Sequence, residues 1–122
     1  DGTRQGENFA QVLAKSIYTP NELTPSEILE LDAYYIGVLD QIESAKANWE
    51  AGIRTSHWQI SLDNIALLYF GNEFSHAWWG FTREAYLARD DGQFVATLDA
   101  AINPVETDRQ KRVIEALQKT VD

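Results

Sequence analysis

Cysteine and methionine are both absent from this chain of 122 residues. Without cysteine there is no disulfide, no thiolate zinc site, no iron–sulfur cluster and no cysteine nucleophile. The compartment stays open, because exported and cytosolic domains alike can lack that residue. Without methionine even at position 1, the sequence is expected to be the interior part of a longer chain, missing a segment before Asp1. Positive charge is also scarce: 10 Lys and Arg stand against 19 Asp and Glu, for a net charge of −9. Such a chain repels phosphate backbones. Its nearest approach to a basic stripe is Arg109, Lys111, Arg112 and Lys119, interrupted by Asp108 and Glu115. Those cations read as the solvated face of a final helix, so nucleic acid is not expected as a partner. The longest apolar run, Ile65 to Phe70, falls far short of the roughly 20 residues that span a bilayer. Phosphate-binding glycine loops, nucleophile elbows and zinc-protease helix patterns are missing too.

What is present is enough apolar and aromatic residue, 44% and 11% of the chain, to exclude intrinsic disorder and fill one core. The strongest signal is Thr24-Pro25-Ser26-Glu27 followed by Ile28, Leu31, Tyr35, Val38, Ile42, Ala45 and Trp49. These apolar positions advance by alternating steps of three and four, the period of a helix and not of a strand. Thr24 and Glu27 have the spacing of a capping box, and Pro25 sits at the first helical position, where its missing donor costs nothing. Gly52 is the expected left-handed stop. A helix from Pro25 to Ala51 is roughly 40 Å long and needs at least two others to cover its stripe.

The remaining segments follow the same logic. Phe9, Val12, Leu13 and Ile17 make a first short helix after a loose start before about Glu7, ended by Thr19-Pro20-Asn21. Ser56 to Gln59 is a second capping-box spacing, ahead of Trp58, Leu62, Ile65 and Tyr69, with Gly71 as stop. Asn72 caps a fourth helix carrying Phe74, Trp78, Phe81 and Ala85. Asp90 or Asp91 opens a fifth with Phe94, Leu98, Ala101 and Ile102, closed by Asn103-Pro104. Thr107 to Gln110 is a third capping-box spacing, before Val113, Ile114, Leu117 and Val121. The expected fold is all-α: one domain over residues 1–122, an antiparallel bundle of five to six helices around one long central helix. Helices two, three and four form its body, and the last two pack across it. Gly37, in mid-helix, either admits a neighbouring backbone or lies exposed with no role; Gly80 poses the same choice.

Few residues suggest chemistry. Glu73 and His76 have the Glu-x-x-His spacing that di-metal carboxylate bundles use, but such sites need a second copy of that pair and two further glutamates. The other histidine, His57, has Ile53 and Arg54 before it, so Glu73 and His76 remain a weak metal candidate. Ser75 adjoins His76, yet neighbours on a helix point about 100° apart and do not face each other. Asp90 and Asp91 read as caps. No cofactor is expected. The aromatic residues of helices two to four outnumber what one stripe per helix requires. They make either a large aromatic core or an aromatic-lined groove for a partner helix or apolar ligand, with Tyr34, Trp58, Trp78 and Trp79 as the candidate groove residues. Trp78 and Trp79, being adjacent, are expected to point one to the core and the other to a groove or second layer.

Leu23-Thr24-Pro25-Ser26-Glu27, the aromatic pair Tyr34-Tyr35, Trp49 with Gly52, then Trp58, Gly71 with Trp78-Trp79, and Phe94 with Leu98 occur in an order that resembles a group of small bacterial proteins of uncharacterised function. The resemblance spans Leu23 to Ile102 and rests on order and spacing. The chain departs from the group in lacking an arginine-rich middle helix and an aromatic-Tyr approach to the glycine, where Ala47-Asn48-Trp49 stands instead. What the resemblance implies is a helical domain tethered to a bacterial membrane by one transmembrane helix before Asp1; it brings no activity and no catalytic residue. The expected function is that of a non-enzymatic interaction module, membrane-tethered, binding a protein partner or a second copy of itself. The alternative is a helical pocket for a small apolar ligand or lipid.

Overall fold

The computed structural model describes residues 5–53 and 57–121. Among them run six α-helices: α1 (Gln5–Tyr18), α2 (Pro25–Glu50), α3 (Trp58–Tyr69), α4 (Glu73–Thr82), α5 (Gln93–Ile102) and α6 (Arg109–Val121). Short 3-10 turns at Pro20–Glu22, Arg83–Tyr86 and Arg89–Gly92 join them, and no strand occurs among the described residues. The protein is an all-α helical bundle.

Its central rod forms for local reasons. The Glu27 amide donates to Thr24 Oγ1 at 3.2 Å, and the Thr24 amide donates to Glu27 Oε1 at 2.9 Å, so two donors at the helix start that lack intrahelical partners are satisfied. Lys15 of α1 also reaches Glu27, at 3.0 Å, tying the first helix to the cap of the second. At the far end Gly52 has φ +76, with Ile53 N donating to Asn48 O and Gly52 N to Trp49 O. That double closure requires a left-handed residue, which glycine supplies without a Cβ penalty.

The stripe of α2 turns inward as its period demands. Leu31, Tyr35, Val38 and Ile42 are buried, with Leu39 beside them, and Ala45 and Trp49 are partly buried; Ile28 alone stays largely open at 42% exposure. The same buried cluster takes in Leu62 and Ala66 of α3, Phe70 just beyond it, and Leu98 and Ile102 of α5.

Helix pairing differs from the expected body of α2, α3 and α4. The α3 helix packs on α2 and on α5, while α4 runs against α1. Bulk explains the exchange: the Trp78 and Tyr35 rings, 5.0 Å apart, fill the space between α4 and α2 and hold their backbones apart. The face of α4 is also rotated from the expected one. It buries Ser75, Trp78, Trp79 and Thr82, which leaves Phe81 at 84% exposure and Ala85 exposed in the following 3-10 turn.

Three helix starts refine the sequence reading. Asn72 caps α4 as expected, in a reciprocal pair with Ser75: the Ser75 amide donates to Asn72 Oδ1 at 2.8 Å and the Asn72 amide to Ser75 Oγ at 3.4 Å. Ser56 lies outside the described residues, as do residues 1–4; the first turn of α3 is capped by His57, whose Nδ1 accepts from the Gln59 amide at 3.1 Å. Asp90 and Asp91 cap nothing. Both hold positive φ, and Gly92, also left-handed, stands at the α5 cap.

Candidate functional site

Most of the aromatic residues form one core. Tyr35 is buried against Trp78, Phe70 and Phe74, with ring centroids 5.0, 5.6 and 6.4 Å away. Trp58, Trp78 and Trp79 are all buried. The adjacent indoles of α4 do not divide between core and groove, because each finds a carboxylate: Trp78 Nε1 donates to Asp32 Oδ1 at 2.9 Å and Trp79 Nε1 to Asp99 Oδ1 at 2.8 Å. With its one polar atom satisfied, an indole buries its whole ring at no polar cost. Of the four candidate groove residues, Tyr34 alone borders an open apolar groove, shared with Phe9 and Ala33 and edged by Asn8 and Glu30. Its ring sits between Phe9 and Tyr69, at 5.1 and 5.7 Å. Burial, reinforced by the neighbouring Tyr69 and Tyr35, pushes its hydroxyl up to about 12.

Glu73 and His76 do not assemble a metal site. Glu73 is exposed in the first turn of α4, where its charge suits the helix dipole. His76 is half-buried, and its Nε2 is enclosed without a hydrogen-bond partner. Among the described residues no three His, Asp or Glu side chains approach closely enough to share an ion.

A polar cleft opens where α2, α3 and the turn before α5 meet, lined by Lys46, Glu50, His57, Asp90, Asp91, Gln93 and Thr97 together with Gln59 and the candidate groove residue Trp58. Lys46 pairs with Asp90 and, at 2.8 Å, with Glu50. The hydrogen bond to Asp90, then that to Glu50, holds the ammonium above its ordinary range, so it stays a cation that neutralises the turn. His57 lies 4.8 Å from the Trp49 ring, its Nδ1 occupied as a cap. The sequence hides this cleft because its walls come from three separate segments.

Exposed apolar side chains recur along α6. Its first turn is fixed to the body: Gln110 N donates to Gly71 O at 3.2 Å, Gln110 Nε2 to Leu68 O at 2.8 Å, Arg109 Nη1 to Leu67 O at 3.3 Å, and Asn72 Nδ2 donates to Gln110 Oε1. The expected capping box with Thr107 does not form, since Gln110 is turned to these partners instead. Gly71 permits the approach, because a Cβ there would lie 3.1 Å from Gln110 Cγ. Val113, Leu117 and Val121 are 40%, 60% and 86% exposed, so each step outward is less covered. The α6 helix lies against α1, with Lys111 Nζ 5.8 Å from the Tyr18 ring and Ile114 partly covered, although none of its residues is fully buried. Leu67 and Leu68, at the base from which it departs, are exposed as well. Its cations are mostly engaged within the chain: Arg109 on Leu67 O, Lys111 over the Tyr18 ring and Arg112 with Glu106 and Asp108. The sequence showed this clustering: four of the chain's 10 cations fall on one short helix of an acidic chain.

Compared with known proteins, the chain matches no family model, no curated protein and no solved structure. The resemblance to anchored bacterial helical domains therefore lends no residue role to these surfaces. Fold and surface together define a class, an all-α bundle that displays a partly covered amphipathic terminal helix.

Proposed function

We propose that the chain is a non-enzymatic interaction module whose docking surface is the apolar side of α6 together with Leu67 and Leu68. One observation carries this: apolar residues recur at helical spacing on α6 and stay open, with Val113 at 40% and Leu117 at 60% exposure. Apolar surface gathered on one side of an element marks a contact surface. The groups with chemical potential support the same reading, since Lys46 is held by two carboxylates and His57 serves as a cap.

An apolar fluorescent dye tests the surface. The chain binds the dye, and Leu117→Asp abolishes the binding while leaving the helical content and melting temperature unchanged. Retained dye binding in that variant refutes the assignment. The tether is a further part of the proposal, resting on the resemblance: the full-length gene product is expected in the membrane fraction, and its recovery in the soluble fraction rejects that part.

A further inference from the structure

The geometry points to a binding site for a small quaternary ammonium ion in the groove between α1 and α2, held by the Phe9 and Tyr34 rings and the Glu30 carboxylate. The site lies apart from α6, so it goes beyond the docking surface and stands or falls without it.

Two helices build the groove. On α2, Glu30, Ala33 and Tyr34 fall at steps of three and one, within a single turn, which puts them on one face. Asn8 and Phe9 of α1 supply the other wall. Together the five residues line an open hollow of about 540 Å³, within the roughly 300–1,000 Å³ of small-ligand sites. Ala33, small and exposed, leaves that space open. The rings are set before anything binds. Phe9 and Tyr34 lie 5.1 Å apart with their planes inclined by 53°, and Tyr34 is braced further by Tyr35 at 5.4 Å and Tyr69 at 5.7 Å. Rings already fixed by packing lose little freedom on binding, which lowers the cost of association.

Charge selects the occupant. On the same helix Glu27, Glu43 and Glu50 each have a cation, Lys15, Arg89 and Lys46 in turn. Glu30 has none among the described residues, and it borders the same hollow as the rings. An aromatic ring attracts a cation through its quadrupole, the free carboxylate adds to that attraction, and a net charge of −9 turns anions away. The form of the cation follows from what the groove lacks. Asn8 and Glu30 are the polar side chains besides the Tyr34 hydroxyl on its walls. An ammonium with several N–H donors leaves some of them unpaired when it exchanges water for rings, which is costly. A quaternary ammonium has no N–H to satisfy, and its methyl groups bring the charge against Phe9, Ala33 and Tyr34. A neutral apolar ligand covers the Glu30 carboxylate and offers it no opposite charge.

Titration with choline chloride, at an ionic strength held constant with sodium chloride and followed by amide NMR shifts, tests the inference. Saturable shifts are expected at Phe9, Ala33 and Tyr34, with a dissociation constant in the millimolar range that suits an exposed site. Glu30→Gln weakens binding by about three-fold or more, and Ala33→Leu, which fills the hollow, by about ten-fold. Both positions are exposed, so an unchanged melting temperature serves as the folding control. Tyr34→Phe keeps a ring and binds as the parent does, whereas Tyr34→Leu weakens binding by about five-fold. The neutral alcohol of the same shape as choline, with carbon in place of nitrogen, binds at least about five-fold more weakly, and so does methylammonium. Leu117→Asp leaves the choline titration unchanged, so this site and the docking surface fail separately.

No saturable shift at tens of millimolar choline overturns the inference, as do shifts that survive both Glu30→Gln and Ala33→Leu. Equal binding of the neutral alcohol also overturns it and makes the groove an apolar pocket. Groove-dependent binding of phosphatidylcholine vesicles without binding of free choline does the same and assigns the groove to a lipid surface.

Discussion

The indole of Trp79 donates to Asp99 Oδ1 at 2.8 Å, and the same carboxylate receives Arg83 through Nη2 at 2.6 Å and Nε at 3.2 Å. One acid on α5 thus orients a buried ring of α4 and a cation just beyond that helix. Asp99→Ala leaves a buried indole N–H without an acceptor and Arg83 without its partner, and is expected to cost about 1–3 kcal/mol. Asp99→Asn keeps an acceptor for Trp79 and costs less. Chemical denaturation of both variants checks the order.

The same carboxyl makes stability depend on acidity. The Arg83 hydrogen bond, aided by that from Trp79, holds Asp99 below the usual carboxylate range, and the Thr24 amide with Lys15 does the same for Glu27. A carboxyl lowered in the folded state contributes stability that is full above its unfolded value, about 3.9, and is lost as the pH falls through the folded one. Melting temperature is therefore expected to hold through mild acid and to drop below about pH 4. The drop is shallower in Asp99→Asn, and an unchanged slope in that variant would contradict the assignment.

At the alkaline end the sign reverses. Burial, then Tyr69 and Tyr35, raise Tyr34 to about 12, while an unfolded tyrosine ionises near about 10. A raised phenol contributes stability fully present below the unfolded value and lost as the pH climbs through the folded one. Melting temperature is expected to fall between about pH 10 and pH 12. Tyr34→Phe reduces that fall without removing it, since burial also raises Tyr35 and Tyr86. Phenolate absorbance followed alongside the melts separates ionisation from unfolding.

Legibility in the sequence follows from how local each signal is. The start of α2 was readable because Thr24, Pro25 and Glu27 act within four residues, and its end because Gly52 needs only its own φ. The stripe from Leu31 to Ile42 was readable because burial repeats with the helix period. The positions of Trp78 and Trp79 were not, because what lets both go inside are Asp32 and Asp99, remote in sequence. Phe81 was assigned inward on hydrophobicity, although a helix of ten residues has room to bury only the side holding both tryptophans. The helical form of α6 was legible and its exposure was not, since an apolar stripe records what a helix is able to bury and not whether anything covers it.

Strain in the cleft gives a fourth prediction. Asp90 and Asp91 have φ of +50 and +54, left-handed values in succession, and a residue with a Cβ pays about 1–2 kcal/mol there. Asp90 recovers part of this through Lys46, whereas Asp91 has no ion-pair partner among the described residues. Asp91→Gly is expected to stabilise the fold by up to about 1 kcal/mol, tempered by the greater entropy of glycine in the unfolded chain. Asp91→Val, with a branched side chain in the same conformation, is expected to destabilise it. Differential scanning calorimetry reads both, and a lower melting temperature for Asp91→Gly would show that the turn is not strained.

Two glycines without positive φ separate space from backbone. A Cβ added at Gly37 meets nothing within 4 Å, so Gly37→Ala in mid-helix is expected to stabilise the monomer by roughly 0.5–1 kcal/mol. At Gly71 the added atom lies 3.1 Å from Gln110 Cγ and 3.4 Å from Arg109 Cβ, and the bulk falls on the one turn that fixes α6 to the body. Gly71→Val is therefore expected to release that turn, breaking the bonds from Gln110 to Gly71 O and Leu68 O. Hydrogen exchange at the amide of Gln110 should accelerate by about ten-fold or more, while the amides of α2 around Leu39 exchange as slowly as before, because local opening need not involve the core. Equal acceleration in both places would mean that Gly71 supports the whole bundle. Acceleration at Gln110 alone would assign this glycine the single task of seating the exposed helix.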